Sequence, residues 1–226
     1  MPLKKPIVAV SLREQVYNQL CEAIMRGEYA PGDVLKISAI AEASQTSLVP
    51  VREAMQNLAA EGAIEMLHNR SARIPLTSRE DYRQLTAIRM NLEGMAAEEA
   101  AANLTDADID DLVRTNAGMA EAVMTRDTEK ILPWNREFHF TIYDRARSPI
   151  LSRLIKTLWL RAGPILNASL TGSVDGMSLH HTGLAEHEAI IEAARNRDAA
   201  ALKAKIMEDI FCASTWYVKY YDFERI

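Results

Sequence analysis

Apolar residues recur at helical spacing along most of this chain, and strand-like alternation is confined to a short segment near residue 65. Residues 46–62 are the clearest helical case, because their apolar positions form one stripe at i, i+4 and i+7: Val51, Met55 and Leu58. Ser47 is suited to cap this helix, Pro50 fits its first turn, and Gly62 is suited to end it. The pattern predicts a short amphipathic helix.

Two polar side chains, Arg52 and Gln56, lie off this stripe in the N-terminal half of the predicted helix. A helix with a buried apolar side and an exposed arginine near its N-terminus is suited to reading the major groove of DNA. An ordinary amphipathic surface helix fits the same segment equally well. The residues on either side favour the first interpretation.

The flanking pattern is that of a winged helix-turn-helix. The four residues between the second and third predicted helices match the turn of such a motif, and two short strands can pair around a polar tip at residues 68–71. The predicted elements are helices over residues 11–26, 37–43 and 46–62 and strands over 63–67 and 72–75. We therefore predict a winged helix-turn-helix DNA-binding domain over residues 1–76.

From residue 77 onward the pattern is helical and contains no internal repeat. Ser78 is suited to cap the first helix, and Thr105 with Asp108 resembles a capping box for the second. Helices are predicted over residues 80–103, 105–126, 127–147, 149–162, 184–195 and 198–221, with a kink or end at Gly163-Pro164 and a loop over 171–176. The fold class is therefore mostly α, with residues 77–226 as an all-α bundle.

Composition and charge are compatible with this organisation. The 226 residues are 48% hydrophobic, which is enough for a buried core, and they carry a net charge of −5. No run of 18 apolar residues occurs, so we expect a cytoplasmic protein that does not contact a membrane. Residues 1–76 hold equal numbers of basic and acidic side chains, so a DNA-binding face must concentrate its positive charge locally. Cys21 and Cys212 are expected to be free, buried thiols.

Two histidines and two oxygen-bearing side chains in the bundle are spaced so that they can meet. Asn135 and His139 are four residues apart and project from one helix face. His187 and Asp209 lie 11 residues on either side of Asp198, so a helical hairpin brings them level. Such a set suits a divalent transition metal with open positions for a ligand. On the residues alone, histidines that are merely hydrogen-bonded in the core or at the surface are the commoner arrangement.

The N-terminal motifs resemble those of the GntR family of bacterial transcription regulators. Residues 31–35 (Pro-Gly-Asp-Val-Leu), residues 47–55 (Ser-Leu-Val-Pro-Val-Arg-Glu-Ala-Met) and residues 58–62 match family motifs. The resemblance covers nearly the whole chain, and the second half is similar to the FadR-type effector domain called FCD. Family members usually carry arginine where Leu48 and Ser38 stand, which implies a different operator.

This resemblance implies a homodimer that binds a palindromic, double-stranded operator and responds to an effector in its FCD domain. No catalytic residue is implied. The residues expected to face DNA lie on the recognition helix, on the wing and just before the second helix: Lys36, Ser47, Arg52, Gln56, His68, Asn69, Arg70 and Arg73.

FCD domains of the metal-binding kind use one aspartate and three histidines, and the resemblance assigns these positions to Asn135, His139, His187 and Asp209. The carboxylate ligand of the family is the first residue of this set, whereas here it is the last, Asp209. The implied cofactor is a divalent ion such as zinc, nickel or manganese, and the implied effector is a small organic acid. Arg89 matches a pocket arginine of the family and would bind the acid; its alternative is a surface ion pair with Glu93.

Three classes of function remain open at this stage. The favoured one is a ligand-controlled transcription regulator, with or without a metal in its pocket. A helical metalloenzyme would use the two histidines and Asp209 around a metal-bound water, but it leaves the N-terminal motifs unexplained. A winged domain that docks protein is supported by Leu48 and opposed by Arg52 and the basic wing. His180 and His181 are expected to face solvent.

Overall fold

The computed structural model describes residues 11–68, 70–171 and 176–223. Its first part is a winged helix-turn-helix. Its elements are α1 Leu12–Met25, β1 Val34–Lys36, α2 Ile37–Ala43, α3 Leu48–Ala60, β2 Glu65–Leu67 and β3 Ser71–Arg73. The helical bundle that follows consists of α4 Arg79–Ala100, α5 Asp106–Thr125, α6 Thr128–Tyr143, a 3-10 turn Asp144–Ala146, α7 Pro149–Leu166, α8 Ala168–Thr171, α9 Met177–Arg195 and α10 Ala199–Tyr220. The predicted fold class is confirmed.

The predicted two-stranded hairpin is confirmed as β2 and β3, and a third strand, β1, which was not predicted, joins it in one sheet. The antiparallel order is β1-β3-β2, and Ala72 of β3 lies opposite both Leu35 of β1 and Met66 of β2. Strand β1 escaped prediction because it has only three residues and follows a turn-rich segment. Its one buried residue, Leu35, joins the core that also contains the α3 stripe.

Two of the three predicted helix caps are confirmed. Ser78 Oγ accepts a hydrogen bond from the Asp81 backbone, and Thr105 forms a full capping box with Asp108 at the start of α5. Ser47 occupies the N-cap position of α3, but its side chain makes no capping hydrogen bond, so that prediction is wrong. Ser47 is an exposed residue.

Two helices are longer than predicted. Helix α7 continues through Gly163 and Pro164 to Leu166, so of the kink or end predicted at that pair, the end is wrong. Helix α9 begins at Met177, seven residues before its predicted start. The predicted loop over 171–176 is bounded by Thr171, the last residue of α8, and Gly176, while residues 172–175 lie outside the described residues.

The winged region packs directly on the bundle through the C-terminal half of α1. A Cβ atom at Gly163 of α7 would collide with the backbone of α1 at Ile24, so the glycine permits this close approach. Arg136 of α6 forms an ion pair with Glu22 of α1 at 2.7 Å. The winged region and the bundle are thus joined by direct contacts between α1 and helices α6 and α7.

No helix in the described part of the chain is both long and apolar enough to cross a membrane. Both cysteines are free, as predicted. Cys21 is buried, but Cys212 is partly exposed, so the expectation of a second buried thiol is wrong.

Candidate metal centre

Three buried side chains from three helices converge inside the bundle: His139 from α6, His187 from α9 and Asp209 from α10. Their ligand atoms all lie within 4.8 Å of one another, and His139 Nε2 is 3.4 Å from Asp209 Oδ2. Two ligands that are each about 2.05 Å from a tetrahedral ion lie about 3.3 Å apart. The observed separation therefore fits a shared metal ion.

His187 directs an unprotonated nitrogen to the place where the three side chains converge. Its Nδ1 lies 3.1 Å from Oδ1 of Asn116 on α5, and because an amide oxygen can only accept, Nδ1 carries the proton and donates it. The other ring nitrogen, Nε2, is buried and has no hydrogen-bond partner among the described residues. Phe138 stacks on the ring at a centroid distance of 3.8 Å. A held imidazole with a buried, unpaired nitrogen is suited to bind a cation.

His139 has the same tautomer for a different reason. Its Nδ1 lies 3.2 Å from Tyr143 Oη, and that hydroxyl donates its only proton to Glu93 Oε2 at 2.6 Å. Glu93 accepts three further hydrogen bonds, two from Arg89 and one from Trp159. The Tyr143 oxygen therefore accepts from His139 Nδ1, which leaves Nε2 without a proton and facing the carboxylate across the site.

Two unprotonated imidazole nitrogens and one carboxyl group thus face one another at the centre. Burial lowers the pKa of His187 to about 3, and burial, with a smaller effect of neighbouring His187 and Arg89, holds the pKa of His139 well below its usual value. Burial also raises the pKa of Asp209 to about 7. A divalent ion would favour all three unprotonated ligands at once, and two imidazoles with a carboxylate suit zinc, nickel or manganese.

The fourth predicted ligand, Asn135, lies one turn before His139 on α6 and lines the adjoining cavity. This cavity has a volume of about 60 Å³, and its wall includes Arg89, His139, His180 and Asp209. An amide oxygen is a weaker ligand than a carboxylate. Asn135 therefore lines the same cavity as His139 and Asp209, and it would be the weakest ligand of the predicted set.

Arg89 forms the predicted ion pair with Glu93, but the pair is not at the surface. Nε of Arg89 lies 2.7 Å from Glu93 Oε1, and the two side chains are 9% and 0% exposed. The guanidinium also lies 4.9 Å from the ring centroid of Trp159. Two of its five N–H donors are directed to Glu93, and because Arg89 lines the cavity, its other donors are suited to bind a carboxylate there.

His180 is buried, so the expectation that it faces solvent is wrong. It is 5% exposed, and its Nε2 lies 3.0 Å from Ser169 Oγ. Because α9 begins at Met177, His180 stands two turns before His187 and shares its inward face. His181, the next residue, is exposed as expected.

Most of the residues expected to face DNA are on the surface. The exposed ones are Lys36, Ser47, Arg52, Gln56, His68 and Arg70. Arg73 is partly buried and forms an ion pair with Glu65 at 2.6 Å. Asn69 lies outside the described residues. Leu48, at the start of α3, is 41% exposed.

Several residues that shape the centre were missed in the sequence, and only some of them left a signal. Tyr143 follows His139 by four residues, so helical spacing could have identified it. Asn116 is 71 residues from His187, and no local pattern links the two. Ser169 lies in a four-residue helix that the sequence pattern did not reveal.

Family models and relatives match both halves of the chain. The model of bacterial regulatory proteins of the gntR family matches residues 12–74, and that of the FCD domain matches residues 84–210. The chain is 34% identical over 167 residues to the HTH-type transcriptional regulator McbR of Escherichia coli (strain K12). The matched region covers 74% of this chain and 76% of that protein.

Solved structures have the same fold. The E. coli McbR/YncC structure matches with a TM-score of 0.83 at 29% identity, over 92% of this chain and 100% of that chain. A putative GntR transcriptional regulator from Rhodococcus sp. RHA1 has a TM-score of 0.74 at 20% identity, over 93% of this chain and 99% of that one, which supports the fold alone. This chain therefore belongs to the GntR family of bacterial regulatory proteins, carries an FCD domain in its second half, and is a transcription regulator rather than an enzyme.

Proposed function

We propose that this regulator binds a palindromic operator as a homodimer and that a small organic acid controls the binding from a divalent metal in the bundle. The observation that carries the proposal is the convergence of three buried ligand side chains, His139, His187 and Asp209, beside the cavity lined by Arg89. A bound divalent ion supplies a Lewis acid that attracts a carboxylate. Arg89 is the second anchor for that carboxylate.

The charges around the cavity favour a singly charged acid. Arg89 and Glu93 neutralise each other in their ion pair. A divalent ion with Asp209 as its only charged ligand leaves one net positive charge. A monocarboxylate balances this charge, whereas a dicarboxylate would leave a buried negative charge without a partner.

The exposed N-terminal half of α3 is the proposed reader of the operator. Arg52 is suited to donate to guanine, whereas Leu48 can do no more than pack against a thymine methyl group. One recognition helix contacts few base pairs, so two subunits are needed for useful specificity. The operator should differ from those of relatives that carry arginine at the position of Leu48.

Exposed apolar side chains on two bundle helices support the proposed dimer. Ile88 and Met95 on α4 are 50% and 45% exposed, and Ile150 and Leu154 on α7 are 75% and 48% exposed. Helices α4 and α7 are in contact with each other. Side chains of this kind are suited to a subunit interface.

Helix α6 provides a route from the cavity to the DNA-binding helices. It carries His139, and its residue Leu132 lines the cavity while also approaching Gly27, just after α1. Arg136, on the same helix, pairs with Glu22 of α1. An effector that shifts α6 would therefore shift α1, and a coupling free energy of about 1–3 kcal/mol is typical of such linkage.

The test is removal of one imidazole in His187→Ala. We expect the zinc content of the reconstituted protein to fall from one ion per chain to almost none, and the response of operator binding to acid to be lost. Operator affinity without effector should stay within about threefold of wild type, because the site does not touch DNA. Metal analysis and fluorescence anisotropy with the operator measure these quantities.

His181→Ala is the matched control, since His181 is an exposed histidine on the same helix. His187→Gln keeps a polar side chain if the alanine variant is unstable. A wild-type protein that takes up no metal, yet responds to acid in the presence of chelator, would contradict the metal site. That outcome would identify a metal-free pocket in which the same residues act as hydrogen-bond partners.

A further inference from the structure

His180 lines the cavity beside the candidate metal centre but is not one of the three converging ligands. It lines the same cavity as Arg89 and Asp209, and it lies seven residues before His187 on one face of α9. At a rise of 1.5 Å per residue, the two histidine backbones are about 10 Å apart along the helix. His180 therefore stands at a different level of the bundle from His187 in the candidate metal centre.

The hydrogen bonds around His180 determine which ring nitrogen is an acceptor. Ser169 Oγ donates its only proton to the Leu166 carbonyl at 2.8 Å, so its contact of 3.0 Å with His180 Nε2 requires Nε2 to donate. Nδ1 of His180 is consequently unprotonated. Burial, followed by the neighbouring His181, lowers the pKa of His180 to about 4, so the ring is neutral at neutral pH.

We propose that His180 is a specificity-determining residue, and that it accepts a hydrogen bond from a hydroxyl group of the effector at some distance from the carboxylate. This inference rests on the proposed function, in which the carboxylate binds at the metal and Arg89. A hydroxyl on the carbon next to the carboxylate would remain close to the metal. A hydroxyl one carbon further along the chain extends towards the level of His180.

The spacing and charge of the polar groups favour a short acid, and the cavity volume of about 60 Å³ is small. A three-carbon monocarboxylate with a terminal hydroxyl combines the required length, charge and small size. The probes that follow from this are 3-hydroxypropionate, its isomer lactate, and propionate, which has no hydroxyl.

The experiment is calorimetric titration of zinc-loaded protein with these three acids. Wild type should bind 3-hydroxypropionate about tenfold more tightly than propionate, the gain that one buried hydrogen bond gives. His180→Leu should bring this ratio close to one, with propionate affinity within about threefold of wild type. His180→Asn, whose amide oxygen can stand near the position of Nδ1, should keep part of the preference.

His181→Leu, at the exposed neighbour, is the matched control and should keep the full ratio. If the acids bind but wild type does not distinguish 3-hydroxypropionate from propionate, or if His180→Leu keeps the preference, the role of His180 is refuted and the proposed function stands. If none of the acids binds to the zinc-loaded wild type, both are refuted. Circular dichroism of each variant verifies its fold.

Discussion

Two ion pairs of nearly equal length lie in opposite surroundings in this protein. In the wing, Arg73 and Glu65 approach to 2.6 Å with side chains that are 40% and 49% exposed. In α4, Arg89 and Glu93 approach to 2.7 Å with side chains that are 9% and 0% exposed. An exposed pair contributes about 0–1 kcal/mol, whereas loss of one partner of a buried pair costs about 3–5 kcal/mol.

The difference extends to the two regions as a whole. The winged region carries its proposed functional side chains on the outside of an apolar core, so each can change without disturbing the others. The bundle carries them inside, where Glu93, Tyr143 and His139 are linked by hydrogen bonds. Function and stability should therefore be separable in the first region and coupled in the second.

The largest expected effect is that of Glu93→Ala. The change leaves Arg89 buried without its carboxylate and removes the acceptor for Tyr143 and Trp159. We expect the free energy of unfolding to fall by about 3–5 kcal/mol. Urea denaturation measures it, and Glu65→Ala in the wing is the matched control, with an expected loss of at most about 1 kcal/mol. Equal losses in the two variants would contradict the proposed contrast between the regions.

Arg52→Ala tests whether function and stability are separable in the winged region. Arg52 is exposed on α3, so its loss should weaken operator binding by about 1–3 kcal/mol and leave the unfolding curve unchanged. Anisotropy titration at a fixed salt concentration measures the first quantity and urea denaturation the second. Wild-type affinity in the folded variant would show that α3 does not read the operator.

Asn116→Ala tests whether the bundle positions its ligands from a distance. The variant removes the acceptor that fixes the tautomer of His187, and such partners typically account for a factor of about 10–100 in metal affinity. Competition of zinc between the protein and a chromophoric chelator measures the affinity. Exposed Asn91 on α4 provides the control, Asn91→Ala, which should leave it unchanged. An unchanged affinity for Asn116→Ala would mean that Phe138 alone holds the ring.

The smallest expected effect concerns the Asp108–Arg145 pair at the start of α5. Burial alone would raise the pKa of Asp108, but hydrogen bonds from Arg145 and Thr105 bring it below its usual value. Because the folded pKa is lower than the unfolded value of about 3.9, the pair stabilises the fold above that pH and loses its effect as the pH falls through the folded pKa.

Arg145→Met should therefore lower stability at pH 7 by less than about 1 kcal/mol, because Arg145 is 47% exposed and solvent screens the pair. The difference from wild type should shrink below about pH 4. Thermal unfolding at a series of pH values measures it. A difference that does not change with pH would assign the effect to packing of the arginine stem.

Local sequence patterns were sufficient to predict most of the helices and strands. The apolar stripe of Val51, Met55 and Leu58 predicted α3, and all three residues are fully buried. The capping box at Thr105 predicted the start of α5, since both interactions of such a box lie within four residues. Strand β1 and helix α8 were missed because elements of three or four residues leave too short a pattern to recognise.

The sequence by itself determined the helical class, the winged helix-turn-helix and the four residues proposed to bind metal, because helical spacing and family motifs are local properties of the chain. Only the tertiary structure decided which nitrogen carries the proton in the histidines of the centre and of the cavity beside it. Asn116 reaches His187 from 71 residues away, and Ser169 reaches His180 from another helix. These contacts depend on how the helices pack. Because the packing buries them, water no longer competes for the same groups, and each hydrogen bond is stronger.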